Sequence, residues 1–297
     1  MKFKKAALVL ATLGLVAVGA HAQDSGTLKK IKDTGVISLG HRESSIPFSY
    51  YDDKQNVIGY SQDFALKIVE AVKQKLNMPN LKVKMVPITS QNRIPLVQNG
   101  TIDIECGSTT NNAERQQQAA FTNTIFVIGT RLMTKKDSGI KDFADLKGKT
   151  VVTTAGTTSE RLLRKMNQDK NLGMNIISAK DHGESFMTLS TGRAVAFMMD
   201  DALLAGERAK SNNPGDFVIV GTAQSREAYG CMLRKNDPEF KKVADDAIAK
   251  VETSGDANAI YKKWFESPIP PKGLNLNFPE SDDMKALYKS PNDKAID

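Results

Sequence analysis

The sequence is poor in cysteine and histidine. Its 297 residues include only two cysteines and three histidines, and one of these histidines, His21, lies near the N-terminus. Neither Cys-x-x-Cys nor His-Glu-x-x-His occurs, so no metal site is predicted. Gly-x-Ser-x-Gly, the P-loop and Gly-x-Gly-x-x-Gly are also missing, which excludes the common motifs of hydrolases and nucleotide-binding enzymes. We therefore predict no cofactor and no catalytic residue.

Long apolar runs are confined to the N-terminus. Three lysines within residues 1–5 precede an apolar run over residues 6–20, and that run is shorter than the roughly 20 residues of a membrane span. Ala20-His21-Ala22 follows as a small-x-small cleavage site. These features predict a secretory signal peptide over residues 1–22, cleaved after Ala22, and an exported, soluble protein of the periplasm. Without this segment 38 basic and 34 acidic residues remain, and a net charge of +4 is too small to indicate nucleic acid binding.

Cys106 and Cys231 are the two cysteines of a sequence that carries an export signal. Exported proteins keep disulfides because their compartment is oxidising, whereas cytosolic proteins rarely do. The even count therefore favours a disulfide between them over a metal site or a nucleophile. Two inert, buried thiols are the alternative.

Short apolar runs alternate with helical patterns along most of the mature chain, which predicts an α/β fold with a largely parallel sheet. About 275 mature residues is large for a single core, so we expect two lobes. Prolines 268, 270 and 271 predict an end to regular structure and the start of a C-terminal tail packed over a lobe. Strands are predicted near residues 36–39, 83–88, 102–106, 150–154, 175–178 and 195–199, and helices near residues 61–78, 94–98 and 240–251.

Polar side chains follow nearly every predicted strand. Because ligands of open α/β sheets bind beyond the carboxyl ends of the strands, we expect these side chains to converge on one cleft. Hydroxyl groups, three arginines and one histidine, with an acidic pair opposite, would suit an anionic ligand that also carries an ammonium group. The residues concerned are Arg42, Ser90, Arg93, Ser108, Thr110, Arg115, Thr158, His182, Asp200 and Asp201.

Several of these residues also have an ordinary structural interpretation. Thr157 and Glu160 fit a capping box at a helix start, and one residue of the pair Asp200 and Asp201 can cap the next helix. A single arginine is most often solvated, and a lone histidine after a strand is most often a loop residue. Three arginines beyond three different strands are harder to explain as surface residues.

Blocks along essentially the whole mature chain resemble the periplasmic amino-acid-binding proteins of ABC importers. They include HRESSIPFSY at residues 41–50 and SQNRIP at residues 90–95. The further blocks are residues 59–63, 105–112, 114–115, 159–160, 180–183, 199–201 and 229–231. The resemblance implies a type II periplasmic-binding fold, in which two α/β lobes enclose a ligand cleft. It is most specific for the members that bind acidic amino acids, so it implies L-glutamate or L-aspartate as ligand and an inner-membrane ABC permease as partner.

The resemblance also implies roles for individual residues and chain segments. Arg115, with Ser108 and Thr110, would hold the α-carboxylate of the ligand, and Asp200 would bind its α-ammonium group. Thr158 would contribute from the second lobe. The residues implied around the side-chain carboxylate are Arg42, Ser90, Arg93 and His182. The implied segments are lobe 1 at residues 23–130 and 229–267, lobe 2 at residues 131–228 and the tail at residues 268–297. Three arginines against one aspartate would give this site about two positive charges.

An enzyme on the same fold is the competing functional class. His182 or Glu43 would have to act as general acid or base, and neither has an evident activating partner in the sequence. A ligand-sensing domain fused to a regulator or channel would require attached DNA-binding or membrane segments. The prediction is therefore a monomeric binding protein and not an enzyme.

Overall fold

The computed structural model describes residues 26–296, so the predicted signal peptide lies outside the described residues. The strands are β1 (Val36–His41), β2 (Ser44–Ser45), β3 (Ser49–Tyr51), β4 (Val57–Ile58), β5 (Lys82–Pro87), β6 (Ile104–Glu105), β7 (Ala120–Ile128), β8 (Thr130–Lys135), β9 (Thr150–Thr154), β10 (Asn175–Ala179), β11 (Ala196–Asp200), β12 (Phe217–Val220), β13 (Glu227–Leu233), β14 (Pro268–Ile269) and β15 (Leu274–Asn275). The helices are α1 (Thr27–Thr34), α2 (Tyr60–Leu76), α3 (Arg93–Gln98), α4 (Ala113–Gln116), α5 (Thr158–Asp169), α6 (His182–Ser190), α7 (Asp201–Lys210), α8 (Pro238–Ser254), α9 (Asp256–Phe265) and α10 (Asp282–Lys289), with 3-10 turns at Phe143–Leu146 and Pro214–Asp216.

Two five-stranded sheets form the two lobes. The sheet of lobe 1 has the order β5-β1-β6-β13-β7, and the sheet of lobe 2 has the order β10-β9-β11-β8-β12. In each sheet two neighbouring pairs are parallel and two are antiparallel. The expectation of a largely parallel sheet was therefore wrong, because one strand in each sheet, β13 in lobe 1 and β8 in lobe 2, runs opposite to the other four.

The chain crosses between the lobes at two adjacent places. β7 ends at Ile128 and β8 begins at Thr130, so the first crossing is almost continuous strand. On the return, Gln224 donates its backbone N–H to the carbonyl of Thr130 at 2.9 Å, and Glu227 pairs with Ile128. Lobe 1 is consequently built from two separate parts of the sequence.

The local elements follow from apolar periodicity. In α2, Phe64, Ile68 and Val72 are fully buried, whereas Leu66 on the opposite face is half exposed. The helix ends at Asn77 in the left-handed conformation, which asparagine tolerates better than most residues. The predicted helix at residues 61–78 and the predicted strand at 150–154 agree with this structure. The strand predicted at 102–106 is shorter than expected and pairs only at Ile104–Glu105.

The predicted disulfide is confirmed, since Cys106 and Cys231 are bonded and both are buried. Cys106 directly follows β6 and Cys231 lies in the adjacent β13, so the bond joins the two chain segments of lobe 1.

The C-terminal segment packs on lobe 1 through α10. Tyr288 of this helix is buried, and its hydroxyl lies 3.0 Å from that of Tyr60 in α2. The expectation that the prolines at 268, 270 and 271 end regular structure was wrong, since Pro268–Ile269 pairs with Leu274–Asn275. A proline at the first position of so short a strand removes only one potential donor.

Candidate ligand-binding cleft

Three arginines are buried where the two lobes face each other. Arg42 follows β1, Arg93 is the first residue of α3 and Arg115 lies in α4, and these side chains are at most 8% exposed. Burial lowers the pKa of Arg42 to about 10 and that of Arg115 to about 9, with the charge of Arg93 as the second cause in both. Buried cations held near one another favour an anionic partner.

The arginines differ in their hydrogen bonds. Arg93 Nη1 donates to Thr109 Oγ1 at 2.6 Å and to the carbonyl of Ser108 at 3.2 Å. Arg115 donates to the carbonyls of Thr110 and Gly156 at 3.0 and 3.3 Å. Within residues 26–296, by contrast, Nη1 and Nη2 of Arg42 are buried with no hydrogen-bond partner. The terminal nitrogens of Arg42 can therefore donate to a ligand.

His182 and Ser90 present further unpartnered groups. The Nδ1 atom of His182 lies 2.8 Å from Thr154 Oγ1, while its Nε2 atom and the hydroxyl of Ser90 are buried without a partner among the described residues. Burial and the charges of Arg42 and Arg93 hold the pKa of His182 well below its usual value, so the imidazole is neutral at pH 7. The hydroxyl of Thr154 also lies 2.8 Å from Ser185 Oγ, so the direction of this chain of hydrogen bonds sets which ring nitrogen of His182 carries the proton.

Asp200 provides the acidic side of the cleft. It ends β11, and its carboxylate accepts hydrogen bonds from Thr130 at 2.7 Å, from Ser159 at 3.2 Å and from Tyr229. Burial and the nearby charge of Glu227 raise the pKa of Asp200 to about 7. Asp200 occupies the N-cap position of α7, but its side chain makes no cap hydrogen bond, so it is not the capping aspartate. An ammonium group beside it would stabilise the ionised form.

Two buried glutamates were missed by the sequence analysis. Glu105 accepts hydrogen bonds from Thr109 at 2.7 and 2.8 Å, and Glu227 accepts one from Thr158 at 2.7 Å. With Asp200 they place three carboxylates among the three arginines, so the count of about two positive charges was wrong. The signal for Glu105 was an acidic residue inside a predicted buried strand. For Glu227 no local signal distinguishes it from a surface residue.

Both lobes contribute to the cleft and touch across it. Thr158, the first residue of α5 in lobe 2, has its hydroxyl 3.3 Å from that of Thr110 in lobe 1. The backbone of Gly156 has φ +76°, and an added Cβ would lie 2.8–2.9 Å from Gln91, next to Ser90. Glycine is needed there both for the dihedral angle and for the close approach.

The start of α5 has the Thr157 cap predicted from the sequence but not the complete capping box, because the Glu160 carboxylate bonds to Gly156 and not to the backbone of Thr157. Thr157 accepts a hydrogen bond from the backbone N–H of Glu160 at 3.0 Å, and the Glu160 carboxylate accepts from that of Gly156 at 2.8 Å.

The structure thus brings the predicted residues into one region. Ser108 is buried, and its hydroxyl donates to that of Ser45 at 3.3 Å. Glu43, the alternative general base, is exposed.

No group of three or more potential metal ligands occurs within residues 26–296, and none of the helices described there is long and apolar enough to cross a membrane.

Comparison with known proteins identifies the family. Residues 37–267 match the model of the bacterial extracellular solute-binding proteins, family 3. The chain belongs to this family of transport proteins, which bind solutes and are not enzymes.

Individual relatives are similar over the full length. The chain is 65% identical to the glutamate/aspartate import solute-binding protein of Salmonella typhimurium, covering 100% of both chains. It is 66% identical to the L-glutamate/L-aspartate-binding protein of Pseudomonas aeruginosa, over 92% of this chain and 91% of that one. Among solved structures, an ancestral arginine-binding protein bound to arginine has a TM-score of 0.70 at 30% identity, covering 78% of this chain and 98% of the other.

Proposed function

We propose that this protein captures L-glutamate and L-aspartate in the interlobe cleft and delivers them to an inner-membrane ABC permease. The observation that carries the ligand assignment is the group of buried, unpartnered donors on Arg42 and Ser90, beside the unpartnered Nε2 atom of His182. Leaving such donors buried without a partner costs free energy, and a ligand carboxylate would satisfy them. The curated relatives in Salmonella and Pseudomonas are named for these two ligands.

The roles of the site residues follow the chemistry of the two ends of the ligand. Arg115, with Ser108 and Thr110, binds the α-carboxylate, and Asp200 binds the α-ammonium group. Thr158 supplies contacts from lobe 2 at the start of α5. The residues proposed for the side-chain carboxylate are Arg42, Ser90, Arg93 and His182. In this arrangement His182 contacts the ligand through Nε2 and does not act as a general base.

The direct test is calorimetry of the purified protein with glutamate, aspartate and glutamine. We expect strong binding of both acids and much weaker binding of glutamine, whose side chain offers no charge to a buried guanidinium. A control recovers the ligand after prolonged incubation, and it should be chemically unchanged. Failure of glutamate and aspartate to bind, or their conversion to a product, would contradict the proposal.

The export and organisation of the chain complete the proposal. Cleavage after Ala22 releases a monomeric protein into the periplasm, and the intact mass of the exported protein tests this position. Its lobes are residues 23–130 with 229–267 and residues 131–228, followed by the tail at 268–297. Because the two crossings are adjacent, they suit a hinge about which the lobes close on a ligand. Solution scattering with and without glutamate should show compaction.

A further inference from the structure

The carboxylate of Glu227 is bonded to both lobes at once. Glu227 begins β13, at the point where the chain returns to lobe 1, and it is only 5% exposed. Its Oε2 atom accepts hydrogen bonds from the hydroxyl of Thr110 in lobe 1 and from the hydroxyl of Thr158 in lobe 2. One buried oxygen therefore collects a donor from each side of the cleft.

The second oxygen of Glu227 faces the crossing strands. Ser225 Oγ donates to Oε1 at 3.1 Å, and Thr130 Oγ1 lies 3.4 Å from it. The Thr130 hydroxyl also donates to Asp200 at 2.7 Å, so Glu227 is connected to the acid proposed to bind the ligand ammonium. All these partners are neutral hydroxyl groups, and each bond is assisted by the charge of the carboxylate.

We propose that Glu227 is a clasp that holds the two lobes together around the bound ligand. The proposal rests on the function proposed above and assigns Glu227 as a positioning residue. Separation of the lobes would take Thr158 away from Thr110 and leave Oε2 with one donor fewer. An interaction that exists in only one of two conformations shifts the equilibrium toward that conformation. Glu227 thus favours the closed arrangement and slows release of the ligand.

The test compares Glu227→Ala, Glu227→Gln and the control Glu252→Ala. Glu252 is also a buried acid, with only 2% exposure, but it lies on α8 outside the cleft. Stopped-flow displacement gives the rate of glutamate release, and solution scattering at saturating glutamate gives the radius of gyration. We expect Glu227→Ala to release glutamate at least tenfold faster than wild type and to lose part of its ligand-induced compaction. Glu227→Gln should restore part of both properties, since its amide oxygen can still accept from both threonines. The control should match wild type in both measurements.

A double-mutant cycle separates the interlobe clasp from a purely local role of Glu227. Glu227→Ala and Thr158→Val should be non-additive in the release rate, because both remove the same interlobe bond. Additive effects, a release rate within twofold of wild type, or full compaction of Glu227→Ala would overturn the proposal. If Glu227→Ala does not fold, Glu227→Gln and Thr158→Val carry the same comparison. Absence of glutamate and aspartate binding by the wild-type protein would instead refute the proposed function, and with it this inference.

Discussion

Replacement of Arg42 by methionine should have opposite effects on stability and on binding. Arg42 is 1% exposed, and neither terminal nitrogen has a hydrogen-bond partner among the described residues. One pKa unit corresponds to about 1.4 kcal/mol, so lowering the pKa from 12.5 to about 10 means that the charged form costs about 3 kcal/mol in the folded protein. Methionine has a similar length and no charge, and it removes this cost.

The ligand-free Arg42→Met protein should therefore be more stable than wild type by about 1–3 kcal/mol. For a chain of this size that corresponds to a rise in melting temperature of a few to about ten degrees. Removing one member of a buried charged pair typically costs about 2–5 kcal/mol in binding, which is about 30-fold to several-thousand-fold in affinity. The substitution should thus weaken glutamate binding strongly while it stabilises the empty protein.

Differential scanning calorimetry and titration calorimetry measure the two effects on the same samples. Arg193→Met is the matched control, since Arg193 is exposed and lies outside the cleft, and it should change neither quantity appreciably. A lower melting temperature of ligand-free Arg42→Met would show that the cation stabilises the fold. Glutamate affinity within threefold of wild type would show that Arg42 does not bind the ligand carboxylate. Either result would refute the reasoning.

Three further predictions concern protonation and the disulfide. The pKa of Asp200 is raised to about 7 in the free protein, and an ammonium group beside it favours the ionised form. Glutamate binding at pH 6.5 should therefore release protons, and it should weaken as the pH falls. Identical binding enthalpies in phosphate and Tris buffers would contradict this. Burial raises the pKa of Glu252 to about 9, so the folded state binds more protons than the unfolded state between about pH 5 and pH 9, and stability falls as the pH rises, by up to about 1.4 kcal/mol per pH unit. Glu252→Gln should make denaturant unfolding less dependent on pH, and an unchanged pH profile would argue against this role. Reduction of the Cys106–Cys231 bond, which spans 125 residues, should destabilise the protein by about 2–5 kcal/mol. Glutamate affinity should stay nearly unchanged, because both cysteines lie in lobe 1. A large loss of affinity in a reduced protein that is still folded would contradict this expectation.

The sequence by itself determined the local elements and the residue types at their ends. The helix at α2 and the strand at β9 follow from apolar periodicity, which depends on neighbours a few residues away. The pairing of Cys106 with Cys231 could be predicted because only two cysteines exist. The blocks of family resemblance also predicted that the arginines and Asp200 lie in one site.

Only the tertiary structure decided how these side chains are partnered. Glu227 accepts a hydrogen bond from the hydroxyl of Thr110, a residue 117 positions earlier in the chain, and no local sequence pattern predicts such a contact. The structure also distinguishes Arg93, which is held by Thr109, from Arg42, whose terminal nitrogens are unpartnered among the described residues. Burial makes these differences in hydrogen bonding matter for stability, because an ionised side chain is well solvated in water but raises the free energy when it is buried without a partner. Periodicity specifies which face of an element is buried, whereas the electrostatics of the cleft depend on which distant elements bury it.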